Sequence, residues 1–445
     1  MEPLSLSGSA DQSMSLAHYD RRSLNIISQI GLGILGLGMT LLFIALWMTP
    51  TGNPWLFFSL SFGLLMIGGL VYVLPQIKKG FAGIKNNGIY FSSVMTRGTV
   101  AWLIGILFTT FYIVLYWFPQ VLSNWVQLVN PLSLALRNKP ADHWFLYGTF
   151  YTIAVLVMGT RMIIKYRHSR YQVFRTASVM FFQLGFAFLI PGVLEMLNQP
   201  GFYFTYFWPL RPYSLWPSDI QNLLSHPGGL GVFMVFWGII MTFVATPILT
   251  YFFGKRWYCS WVCGCGGLAE TLGDPFRQLS DKSLKAWRIE RILIYSVLVF
   301  VSITTLLLWV NSFFGGAILG ALSGSFSSWY GFLIGSVFSG VIGTGFYPIM
   351  GSRVWCRFGC PMAAILGILQ RRFSRFRITT NGGQCISCGN CSTYCEMGID
   401  VRAYAQRSEN IVRASCVGCG ICSAVCPRGV LNLETGPLEK RFDLQ

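Results

Sequence analysis

Charge is scarce in this chain. Only 11% of its 445 residues are Asp, Glu, Lys or Arg, while 53% are hydrophobic. A soluble protein of this length needs far more charge to cover its surface, so a water-soluble globule is excluded. Histidine is scarcer still, with His18, His143, His168 and His226 as the four copies and none in the middle of an apolar run. A transmembrane b-type haem takes two axial ligands from inside such runs, usually His, and no haem is expected. Cysteine is absent from the first 258 residues, and all thirteen copies follow. A secreted disulfide framework would scatter cysteines across external loops, so reduced, metal-binding thiols fit better. No cleavable signal peptide is expected, because the first apolar run starts near Leu24, is too long for an h-region and lacks a small-residue cleavage site.

Apolar sequence is what the chain has in excess, at a mean hydropathy of +0.54. Runs long enough to cross a hydrocarbon core of roughly 30 Å occur at 24–48, 55–75, 99–118, 143–163, 173–196, 229–253, 290–310 and 329–350. The Gly/Ser-rich stretch 314–328 leaves open a re-entrant path before the eighth run. Lys and Arg outnumber Asp and Glu by 33 to 16, for a net charge of +17. That excess suits either a nucleic-acid binder or one side of a membrane protein, and its distribution decides. Arg21, Arg22, Lys78, Lys79, Lys85, Arg97, Arg161, Lys165, Arg167, Arg170, Arg175 and the basic residues of 255–291 fall on one side, whereas Arg137, Lys139 and Arg211 alone fall on the other. The basic side is expected to be the cytoplasm, with both termini inside, a lipid bilayer around the chain and no nucleic-acid partner. The external connections 119–142 and 197–228, rich in Trp, Tyr, Phe and Pro, read as an interfacial aromatic belt. Gly31, Gly33, Gly36 and Gly38 read as sites of close helix approach.

Cys385, Cys388, Cys391 and Cys395 are spaced C-x-x-C-x-x-C-x-x-x-C, and Cys416, Cys419, Cys422 and Cys426 repeat the spacing with Pro427 after the last. Three thiolates from one tight loop hold three corners of an iron–sulfur cubane. The fourth corner comes from the remote cysteine of the other motif, as in two-cluster bacterial ferredoxins. The expected ligands are Cys385, Cys388, Cys391 and Cys426 for one 4Fe–4S cluster, and Cys416, Cys419, Cys422 and Cys395 for a second. Gly389, Gly418 and Gly420 let the backbone fold close around sulfur. A structural zinc site would use paired C-x-x-C knuckles rather than a triplet plus a fourth. Glu396 stands where a proline usually follows the first motif, a departure that loosens the turn and removes no ligand.

A second repeat lies earlier. GKRWYCSWVC (Gly254 to Cys263) and GSRVWCRFGC (Gly351 to Cys360) place Gly, Arg, an aromatic and two cysteines at equal offsets. Each follows a run directed from outside to inside, so each is expected at the cytoplasmic surface. If helical, cysteines four apart share a face, and two such helices side by side present Cys259, Cys263, Cys356 and Cys360 to one point. The readings are a further metal or iron–sulfur centre, a redox-active dithiol pair, or buried structural cysteines. Repetition favours the first two over the third. Cys265 is an extra thiol found in the first copy alone.

These motifs resemble the membrane polyferredoxin (4Fe–4S binding membrane protein) family of NosR and NapH type, with CcoG-type proteins as more distant members. The shared pattern is two C-x-x-x-C-P motifs at span ends followed by a two-cluster ferredoxin. Cys259/Cys263, Cys356/Cys360–Pro361 and the eight tail cysteines match it, while Gly264 replaces the first proline. The resemblance covers residues 229–435 and implies electron flow between a quinone/quinol pool and respiratory redox subunits or a periplasmic reductase, in the bacterial cytoplasmic (inner) membrane. A quinol dehydrogenase-type oxidoreductase subunit is the enzyme class it suggests. A metal-handling role such as copper reduction for an oxidase, and a non-catalytic ferredoxin-bearing anchor, are the alternatives. Copper handling would favour Met- or His-rich external loops, which are missing.

A quinone site needs an apolar slot and a proton-exchanging group. Glu195 is the first candidate because it is ionisable in an apolar setting. Asp142, His143, Asp219 and His226 follow, with ordinary interfacial solvation the commoner explanation of each. The fold expected is an all-α polytopic membrane domain of about eight transmembrane helices with a small α+β two-cluster, bacterial-ferredoxin-like C-terminal domain. Its divisions are a cytoplasmic N-terminal tail 1–23, a five-span domain 24–228, a three-span cysteine-motif domain 229–370 and a cytoplasmic ferredoxin domain 371–445.

Overall fold

Residues 25–47, 53–78, 97–320 and 322–439 are described in the computed structural model of the chain. The tail 1–23 and the basic residues Arg21, Arg22, Lys79 and Lys85 lie outside the described residues.

Backbone polar groups in hydrocarbon must be satisfied within their own segment, so long apolar runs fold as helices. Eight helices among the described residues are long and apolar enough to cross a membrane. In chain order they are Ile26–Trp47, Pro54–Pro75, Thr99–Trp117, His143–Lys165, Arg170–Met196, Leu230–Phe253, Leu284–Phe313 and Leu322–Gly345. Leu103, Ile292 and Leu306 on their outer faces are more than 60% exposed, and lipid covers such side chains where water would not. The chain is a multi-pass membrane protein. Two helices start on side-chain caps: the Asp142 carboxylate accepts from the Phe145 amide at 2.9 Å, and the Ser283 hydroxyl accepts from the Ala286 amide at 3.2 Å.

The first two helices pack against each other at Gly31 and Gly68, where an added Cβ would collide with the backbone of the facing helix. Gly38 also faces the second helix, whereas Gly33 and Gly36 meet nothing among the described residues. Three departures from the sequence expectation matter. The eighth helix begins at Leu322, so residues 322–328 belong to it rather than to a loop. The connection 119–142 contains an amphipathic helix, Ser123–Arg137, tied to the first helix by Trp125 Nε1 donating to the Leu42 carbonyl at 2.6 Å. The connection 197–228 is likewise more than an aromatic belt, because Phe202, Phe207 and Trp216 are buried.

After the eighth helix the chain forms the helix Pro361–Phe373 and then a small α+β unit. Strand Arg377–Thr380 pairs antiparallel with Leu431–Glu434, Arg377 opposite Glu434 and Thr380 opposite Leu431. Two short helices, Asn390–Thr393 and Ile421–Ala424, each follow a left-handed glycine, Gly389 (φ 79°) and Gly420 (φ 72°). This unit sits against the bundle. Tyr171 Oη donates to the Gly418 carbonyl and Gln172 Nε2 to the Cys419 carbonyl, both at 2.8 Å. Gln370 Nε2 donates to the Cys416 carbonyl, also at 2.8 Å.

Candidate metal centres

The equivalent loops of the α+β unit each wrap a small cavity. Cys385, Cys388, Cys391 and Cys426 line one, with Pro427 beside them. Cys395, Cys416, Cys419 and Cys422 line the other. The structure thus brings each cysteine triplet together with the remote fourth cysteine of its partner motif. The Ile399 amide donates to Cys395 Sγ and the Val430 amide to Cys426 Sγ, both at 3.4 Å, placing N–H groups where sulfur charge develops. Burial pushes the free thiols of Cys391 and Cys419 up to about 12 and that of Cys416 up to about 11. Without metal they are protonated at neutral pH, so ligation must release protons.

The repeated Cys-x-x-x-Cys segments share one local fold. Gly254 (φ 68°) and Gly351 (φ 96°) turn the chain sharply at the ends of the two copies' preceding helices, a conformation that disfavours a side chain. A short helix follows in each copy, Arg256–Cys259 or Val354–Phe358. The second cysteine then closes a turn: the Cys263 amide donates to the Tyr258 carbonyl at 2.8 Å, and the Cys360 amide to the Trp355 carbonyl at 2.9 Å. Cys263 and Cys360 are extended residues capping the next helices, Gly264–Thr271 and Pro361–Phe373. The two cysteines of a pair therefore do not share one helix face as expected. They meet across a helix–turn–helix. Cys259, Cys263, Cys356 and Cys360 are all buried in one core, with Cys265 packed against it. Arg353 Nη1 links the copies, donating to the Cys259 carbonyl at 3.1 Å and approaching Cys356 Sγ at 3.7 Å.

The depth of this site also differs from the expectation of a surface location. Gly264 lies against Gln183 and Tyr206, and a proline ring there would collide with the Tyr206 hydroxyl. Gln183 is about 20 Å along the fifth helix from Arg170, at 1.5 Å per residue. From the far connection, the Thr205 carbonyl accepts from Tyr258 Oη at 2.7 Å. The first cysteine copy is therefore sunk into the bundle and met there by the connection expected outside. The turn at Gly254 sends the chain back inwards, which run length and charge do not encode.

Between this site and the α+β unit lies a buried charge network. Asp274 accepts from Lys165 Nζ at 2.7 Å and Arg161 Nη1 at 3.0 Å. Arg277 Nη1 reaches Glu396 Oε2 at 2.6 Å, and Arg353 Nη2 reaches Glu396 Oε1 at 3.1 Å. Glu270 pairs with both Arg175 and Arg353. Five cations (Arg161, Lys165, Arg175, Arg277, Arg353) thus face three carboxylates (Asp274, Glu270, Glu396) out of solvent. Among the described residues Arg175 Nε, Arg277 Nη2 and Arg353 Nε have no hydrogen-bond partner. Buried positive charge in excess suits anionic thiolate-ligated clusters on either side. Burial alone would raise the Asp274 and Glu396 carboxyls, but the cations outweigh it and hold both below the usual range.

Among the described residues no three His, Cys, Asp or Glu side chains are spaced to share one metal ion. A tetrahedral zinc site needs sulfurs roughly 3.8 Å apart, given bonds near 2.3 Å. Quartets gathered around a cavity suit a polynuclear cluster.

Comparison with known proteins agrees. Residues 384–431 match the family described as a 4Fe-4S dicluster domain. Residues 233–283 and 330–380, the two Cys-x-x-x-Cys copies with their preceding helices, each match the family described as a 4Fe-4S binding domain. The chain is a polyferredoxin-like membrane protein. A curated relative of this polyferredoxin-like chain is YccM of Escherichia coli (strain K12), named as a proposed electron transport protein. It is 24% identical over 170 residues, which make up 37% of this chain and 46% of YccM, so the match spans less than half of that relative's length. No solved structure matches the chain.

The residues singled out for a quinone lie apart from the cysteines. Glu195 pairs with Arg137 at 3.5 Å, and Arg137 also approaches Asp142 at 3.4 Å, at the end of the bundle opposite the ferredoxin unit. The His143 ring lies tilted against Trp144, with centroids 4.9 Å apart, and His226 ends the short helix Pro217–Ser225.

Proposed function

We propose that this iron–sulfur electron-transfer protein exchanges electrons between a membrane quinone/quinol pool and a respiratory redox partner. Two 4Fe–4S clusters in the tail take Cys385, Cys388, Cys391, Cys426 and Cys416, Cys419, Cys422, Cys395. A third iron–sulfur centre takes Cys259, Cys263, Cys356 and Cys360, with Cys265 at its edge. The ferredoxin unit and both ends face the cytoplasm of a bacterial inner membrane, a reading supported by the one-sided placement of Lys and Arg. The chain then serves as a quinol dehydrogenase-type subunit, and its partner is a respiratory subunit or a periplasmic reductase.

One observation carries the reading. Every cysteine except Cys388 belongs to, or packs against, a single buried core that runs from the ferredoxin unit into the bundle. Centres held there stand in series, and the series supports conduction rather than storage. Stepwise reduction of the anaerobically purified protein, followed by electron paramagnetic resonance, tests it. Signals from three interacting centres are expected, and signals from isolated, non-interacting clusters would count against the series.

A further inference from the structure

A cavity of about 510 Å³ lies between the first, third and fourth helices. Its volume falls within the roughly 300–1,000 Å³ of ordinary ligand pockets. Leu, Phe, Val and Met side chains make most of its wall, which begins near Leu46 and Trp125 at the end away from the ferredoxin unit. The polar groups are few and gathered. Tyr112 and Tyr147 share a hydrogen bond of 3.2 Å between their hydroxyls. The hydroxyl of Tyr151, one turn from Tyr147 on the cavity wall, is buried and has no hydrogen-bond partner among the described residues. A buried hydroxyl without a partner is destabilising, and a bound acceptor would recover that loss.

The deep wall includes Leu268 and Leu272 of the segment that begins at Gly264. Cys265 lies three and seven residues before them, on the same helical face. Tyr151 packs against the buried cluster that holds Leu268, which Leu272 also joins. An apolar slot thus ends at three phenol hydroxyls beside the buried thiol site. An acyl chain has no use for those hydroxyls, whereas the carbonyl oxygens of a quinone accept from them.

We propose that this cavity is the quinone-binding site. The head group is held by Tyr112, Tyr147 and Tyr151 beside Cys265, and the isoprenoid tail lies along the apolar wall towards the first helix. The site rests on the quinone-exchange reading above. It places the quinone at mid-depth, away from Glu195, His143 and His226.

The test is photo-crosslinking of an azido-quinone to the purified full-length protein, with the labelled peptides mapped by mass spectrometry. Label is expected in 107–125, 147–158 and 265–272, and excess unlabelled quinone but not phospholipid should compete with it. Tyr151→Phe should lower the labelling yield about 3- to 10-fold, the worth of one hydrogen bond. Ala154→Phe, which fills the cavity, should abolish labelling, while iron content and cluster spectra stay at wild-type values in both variants. Label mapped to peptides around Glu195 or His226 would overturn this site and leave quinone exchange standing. Equal competition by phospholipid would show a lipid crevice and overturn it too. No specific label anywhere, with clusters intact, would overturn quinone exchange itself.

Discussion

Glu396 stands where the first cysteine motif would ordinarily carry a proline, and burial changes what that departure means. As sequence it reads as a loosened turn. In the fold its carboxylate is fully buried and binds Arg277 and Arg353 of the membrane domain, while its carbonyl accepts from Ser280 Oγ at 2.8 Å. It locks the ferredoxin unit to the bundle. Restoring the proline, Glu396→Pro, should therefore destabilise the protein by about 3–5 kcal/mol, because two buried guanidinium groups each lose one of their carboxylate partners. Thermal unfolding in detergent and proteolysis of the linker before Arg377 would measure this, and an unchanged melting temperature would refute the lock. Gly264 carries the same lesson. It replaces the proline of the second copy because the Tyr206 hydroxyl occupies the space, so Gly264→Pro should cost about 1–3 kcal/mol by overpacking. No spacing rule reveals either role, since the partners are distant in sequence.

Among the elements, the eight helices and the interlocked cysteine loops were legible, because run length and residue spacing are local properties. The buried ion network was not. Arg161, Lys165, Arg175 and Arg277 read as loop charges that set orientation, yet all four are 0–1% exposed and paired. Asp274 is the clearest test. Its carboxyl is held below the usual range in the folded protein, so its contribution to stability is full above the unfolded value of about 3.9. That contribution is lost only as pH falls towards the folded value. The stability gap between wild type and Asp274→Asn should accordingly stay constant from pH 7 to about pH 5 and narrow below about pH 4. A gap that widens in acid would reverse the sign of the argument. The tyrosine cavity was equally hidden, since Tyr112, Tyr147 and Tyr151 sit inside apolar runs where a hydroxyl hardly changes the hydropathy.

For the whole molecule, iron content separates two centres from three. Two 4Fe–4S clusters require about eight iron and eight sulfide per chain, and a third raises each to about twelve. Cys259→Ser/Cys356→Ser in the full-length protein should lower both by about four. An unchanged content would remove the third centre and leave a dithiol pair there. Orientation is tested by reporter fusions, which should read external after Arg137 and Arg211 and internal after Lys282 and at the C-terminus. An external ferredoxin unit would invert the proposed map.

Electron exchange between these centres and a membrane quinone can be observed optically. The most direct measurement is to reduce the anaerobically purified protein with dithionite, remove the reductant, add a soluble quinone analogue and follow the visible absorbance of the clusters. The bleached absorbance should return as quinone is converted to quinol, and Ala154→Phe should slow the return without altering dithionite reduction. Clusters that stay reduced in the presence of quinone, yet reoxidise with ferricyanide, would contradict it.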